Sequence, residues 1–94
     1  MARHIKADGT ESIVAPKGAK WTLEELQALV GGYIEFMPGK VGFRMVLNEE
    51  GRLRQLPINL RATAIVLEAL HGQPLRYHPQ IFGDVVLLDP KEKM

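Results

Sequence analysis

The chain contains no cysteine. That absence excludes disulfides, thiolate zinc sites and thiol nucleophiles. Serine is almost as scarce: Ser12 is the only one, and it stands in an extended stretch with neither a glycine elbow nor a neighbouring histidine. A serine-type hydrolase needs both a strained turn and a base, so this chemistry finds no support. Long apolar runs are missing as well. No window approaches a membrane span, and Met1-Ala2-Arg3-His4-Ile5-Lys6 leads into polar residues without an apolar signal core, so the expected location is the cytoplasm. An excess of one charge is lacking too. Twelve basic against eleven acidic residues leave a formal charge of +1, far from the strongly basic balance of a dedicated nucleic-acid module.

Metal and phosphate motifs are equally absent. His4, His71 and His78 are too scattered for a helix-borne pair of ligands, and no carboxylate stands at a familiar ligand spacing from them. Gly39-Lys40 resembles the end of a phosphate loop, but Ile34 and Val41 occupy the positions where that motif needs glycine and a hydroxyl residue. The Glu49-Glu50 pair suits acid–base work only if the two carboxylates split their pKa values, and a solvated turn is the simpler account. No catalytic residue, metal site or cofactor is expected, which leaves binding as the mode of action.

What is present is the pattern of an α+β domain. Ninety-four residues make one domain over 1–94, with residues 1–2 and 90–94 expected to be loose ends. A core of this size is modest, and a homodimer would supplement it. Arg3 to Ala7 and Glu11 to Ala15 flank Asp8-Gly9-Thr10 as a β-hairpin. Thr22 and Glu25 form a capping box, with Trp21 and Leu26 as the hydrophobic staple. Leu23, Leu26, Leu29 and Val30 repeat at helical spacing up to the stop at Gly31-Gly32.

Tyr33 to Met37 and Phe43 to Asn48 read as a strand pair around Pro38-Gly39-Lys40, and Arg52 to Leu56 as a third antiparallel strand ended by Pro57. Asn59 caps a second helix, Leu60 to Leu70, whose apolar residues cover most of the circumference and predict substantial burial. His71 and Gly72 suit its C-terminus, and Gln73 to Gln80 reads as loop. Val85 to Leu88 suits a strand buried on both faces. The sum is a curled, mostly antiparallel sheet of about five to six strands with two helices.

Charge is concentrated in the middle of the chain. Lys40, Arg44, Arg52, Arg54 and Arg61 accompany only two acids, Glu49 and Glu50. If Arg52 to Leu56 is a strand, alternation puts Arg52 and Arg54 on one face, where Arg44 joins them across the sheet. Guanidinium forks match phosphates and carboxylates, so this is a candidate anion or partner surface. A solvated sheet face that guards an edge against aggregation explains the same residues. The amides at the start of the Asn59 helix, together with Arg61, are a second candidate for an anion. Tyr33 and Tyr77 are candidate stacking partners for a base.

Several blocks in order carry a family resemblance. They are Leu23 to Glu35, Asn48-Glu49-Glu50-Gly51-Arg52-Leu53, Leu56-Pro57-Ile58-Asn59 followed by Arg61-Ala62-Thr63, and Gly83-Asp84-Val85-Val86-Leu87. Together they resemble the domain-of-unknown-function 3846 family, whose members look like small proteins of bacteriophages, plasmids and their host bacteria. The resemblance implies an accessory role and no assigned residues. Two partner classes follow from it: a host protein or nucleoprotein complex inhibited in counter-defence, or an anionic nucleotide signal sequestered by an oligomer. His71 to Gln80 departs from the pattern in being rich in proline and aromatic residues.

Overall fold

A computed structural model describes residues 1–37, 44–69 and 80–89. Within them the chain runs β1 (Ala2–Ile5), β2 (Glu11–Val14), α1 (Leu23–Val30), β3 (Ile34–Phe36), β4 (Arg44–Asn48), α2 (Leu60–Ala69) and β5 (Val85–Leu88). The five strands form one sheet in the order β2-β1-β5-β4-β3, with every neighbouring pair antiparallel. The α+β class and the two helices therefore stand as expected from the sequence. The hairpin joins the sheet through β1, which pairs Ile5 with Val85 and His4 with Val86. Ala2, assigned above to a loose end, is buried and opposite Val14.

The two faces of the sheet hold separate cores. One packs Ala2, Val46, Val86 and Leu88 against Trp21, Leu26 and Val30 of the α1 region. The other packs Ile5, Met45, Leu47 and Val85 against Ala62 and Val66 of α2. A helix covers each face, so the central strands β4 and β5 bury successive residues rather than alternate ones. This accounts for the unbroken Val85-Val86-Leu87-Leu88 run, here in an antiparallel setting.

α1 begins as its sequence dictates. Thr22 Oγ1 accepts the Glu25 amide at 3.2 Å while Glu25 Oε1 accepts the Thr22 amide at 3.1 Å. Glu25 Oε2 also takes the Lys17 amide, and these backbone donors, Lys17 first, hold its carboxyl below the ordinary carboxylate range. The helix stops at Gly31, whose φ of 80° is the left-handed conformation that glycine adopts without a Cβ clash. Trp21 and Leu26 share one core cluster, as a staple requires.

Two expectations fail in this part of the fold. Residues 52–56 are a run of turns and not a strand. The Arg54 amide donates to Glu50 O, the Gln55 amide to Arg52 O and the Leu56 amide to Gly51 O, with Gln55 at a positive φ of 54°. The physical reason lies in the sheet: β4 already pairs with β3 on one side and β5 on the other, so a strand continuing from it has no open neighbour. α2 is also less buried than its composition suggested. Ala62 and Val66 are buried, whereas Leu60 is exposed on the helix's first turn. Pro38-Gly39-Lys40, Phe43, Leu70 to Pro79 and the tail 90–94 lie outside the described residues.

Candidate functional site

The segment from Asn48 to Leu60 links β4 to α2, and it is tied down at several points. Asn48, at the end of β4, accepts the Glu50 amide at 2.8 Å and donates its Nδ2 to Val30 O at 3.2 Å. Gly51 lies so close to residue 82 that an added Cβ would stand 2.9 Å from the Phe82 carbonyl oxygen. Pro57 O accepts the Gly83 amide at 2.7 Å, and Ile58 forms a bridge with Phe82. Asn59 is fully buried; it caps α2 through the Ala62 amide and donates to both Ile5 O and Gly83 O. The blocks that carry the family resemblance thus meet at one end of the sheet.

The carbonyl end of α1 takes part in the same junction. Gln27 O accepts the amides of Gly31 and Gly32, Leu29 O accepts the Nε2–H of His4, Val30 O accepts Asn48, and Gly31 O accepts Arg54 Nη1 at 3.3 Å. Donors and a guanidinium at the negative end of a helix are electrostatically favourable. His4 and Asp84 escaped the sequence reading in these roles. Asp84 Oδ1 accepts the Ala7 amide at 2.9 Å, joining β1 to the start of β5, and no local motif announces a bond between residues so far apart in the chain.

The expected arginine face is not assembled as a unit. Arg44 lies at the start of β4, on the α1 side of the sheet, where Nη2 donates to Asp89 O. Arg52 sits over the Phe82 ring at 5.5 Å from its centroid. Arg54 reaches across to the end of α1. Arg61 projects from α2, on the opposite face, and pairs with Glu11 at 3.3 Å. Glu11 also receives Arg3 at 2.6 Å, and the two guanidiniums, Arg3 first, hold its carboxyl below the ordinary range.

The start of α2 offers little to an anion. Its Ala62 amide is taken by Asn59, and Arg61 already faces a carboxylate. Tyr33 is 65% exposed at the edge strand, its carbonyl accepting the Glu49 amide. Tyr77 lies outside the described residues.

What the junction does present outward is apolar surface beside Arg52. Leu53 is 84% exposed at the crest of the turns, Leu60 is 76% exposed at the first turn of α2, and Ile58 is exposed next to Phe82. Among the described residues no group of three or more metal-ligating side chains comes together. No described helix is long and apolar enough to cross a membrane.

Comparison with curated proteins and with solved structures returns no match. The comparison with protein families does return one: residues 5–94, nearly the full length, match the family described as Domain of unknown function (DUF3846), and the chain belongs to that family.

Proposed function

We propose that this protein acts by binding rather than by catalysis, and that its contact surface is the junction formed by residues 52–60. The observation that carries this reading is the exposure of Leu53, Ile58 and Leu60 along one segment that also bears an arginine seated on an aromatic ring. Large aliphatic side chains in water are unremarkable one at a time. Here they crown a segment whose backbone is fixed by turn bonds on one side and by the Gly83–Pro57 bond on the other, so the surface is shaped before a partner arrives. An arginine flanked by apolar contacts is the composition of an interface hot spot.

The partner that fits is a protein surface with an apolar centre and acidic groups placed to meet Arg52 and Arg54. In the setting of phages, plasmids and their hosts, that partner is a host protein or nucleoprotein complex in the cytoplasm, and the consequence of binding is inhibition. A single-stranded nucleic acid fits less well, because tracking its backbone needs a strongly positive groove and the chain carries a formal charge of only +1. For an anionic nucleotide, Arg54 and Arg61 of one copy lie on opposite faces, so that reading needs guanidiniums from two copies.

The test is affinity capture from host lysate with Leu53→Asp and Leu60→Asp beside the unaltered protein. Both positions are exposed, and an acid at the first turn of α2 is favourable to the helix, so neither change should unfold the domain. Loss of a captured host complex in both variants, at unchanged melting temperature, supports the proposal. Equal capture by all three proteins would remove this surface from consideration.

A further inference from the structure

We infer that the cleft beside the β1–β2 turn is a binding site for a small zwitterion of the amino-acid class. The cleft holds about 470 Å³ and lies between that turn, the end of α1, and the segments around Leu56-Pro57 and Gly83-Asp84. This is the size range of ordinary small-ligand sites. Its lining carries two cations, Lys6 and Arg54, and two carboxylates, Asp8 and Asp84.

The four charged groups are unequally engaged by the chain itself. Asp84 uses Oδ1 for the Ala7 amide, and Asp8 uses Oδ1 for the Thr10 amide and hydroxyl; among the described residues Oδ2 of each has no hydrogen bond. Those Thr10 bonds, the hydroxyl first, hold the Asp8 carboxyl below the ordinary range, so it stays ionised. Arg54 spends one nitrogen on a 3.3 Å contact with Gly31 O. Among the described residues the Lys6 ammonium has no hydrogen-bond or ion-pair partner.

Net charge decides the ligand class. The lining sums to zero, so a phosphate dianion drawn to Lys6 and Arg54 would also face two carboxylates. A ligand bearing an ammonium and a carboxylate a few atoms apart meets both pairs, the ammonium at the Oδ2 atoms and the carboxylate at the cations. Val30, Leu56 and Pro57 supply an apolar wall for a side chain. This site adjoins the surface proposed for protein binding and shares Arg54, Leu56 and Pro57 with it, whereas Leu53 and Leu60 are not part of its lining.

The experiment is a thermal-shift series on the full chain with each standard amino acid at millimolar concentration, beside inorganic phosphate and a nucleoside monophosphate. A ligand that binds only the folded state raises the melting temperature. At least one amino acid should do so. Lys6→Gln and Asp84→Asn, the latter retaining an acceptor for the Ala7 amide, should each weaken that ligand about tenfold or more. Leu53→Asp should leave the ligand response intact, which separates this inference from the docking surface. Absence of stabilisation by every amino acid overturns the inference. So does stabilisation by phosphate or the nucleotide that Asp84→Asn strengthens, because that response marks an anion site.

Discussion

Asn59 satisfies three backbone groups at once, the Ala62 amide at the start of α2 and the carbonyls of Ile5 and Gly83. Asn59→Ala removes a helix cap and one donor each from the carbonyls of Ile5 and Gly83, so a loss of about 2 kcal/mol is expected. Urea unfolding measures it directly, and a loss below about 1 kcal/mol would mean that water replaces the side chain. The sequence announced the cap, because asparagine before an apolar run is a standard helix start. It could not announce the other two bonds, which depend on β1 and the turn before β5 folding against the same point.

Glu25 gives a residue-scale prediction about pH. Its folded-state pKa is lowered by the amides it accepts, so its contribution to stability is present above the unfolded-state pKa and is lost as pH falls through the folded value. Glu25→Gln keeps the capping geometry without a titrating group. The variant should therefore be less stable than the parent at neutral pH, and the gap should close as acidification protonates Glu25 in the folded protein. Melting curves across that range check the sign. A gap that widens in acid would contradict the assignment.

Among elements, the legible ones carried their own local signals: the capping box of α1, the Asp8-Gly9-Thr10 turn between β1 and β2, and the apolar run of β5. Residues 52–56 were misread because Arg52-Leu53-Arg54 alternates like a strand. What decides their conformation is non-local, namely that both sides of β4 are already occupied. Without that strand the arginines lost their common face, which is why the candidate site was only half legible: Arg52 and Arg54 remain at the junction, while Arg44 and Arg61 belong elsewhere.

Gly51 tests this view of the turn segment. It packs against Phe82, so Gly51→Ala must displace that backbone and should cost about 1–3 kcal/mol. Gly18→Ala, with nothing within 4 Å of the new methyl, should change stability by less than about 0.5 kcal/mol. Similar effects from both, measured by chemical denaturation, would show that the turns are not held by Phe82.

At the scale of the molecule, a sheet covered by one helix on each face leaves its ends to carry function. One end gathers the segments after α1, β4 and β1 and before α2 and β5, and there a pre-shaped apolar surface and a cleft of balanced charge lie close together. The most direct test of the binding account is hydrogen–deuterium exchange on the protein with and without its captured partner. The account predicts slowed exchange at amides within residues 52–60 on complex formation. Protection confined to β2 or the start of α1, with residues 52–60 exchanging at their unbound rate, would contradict it.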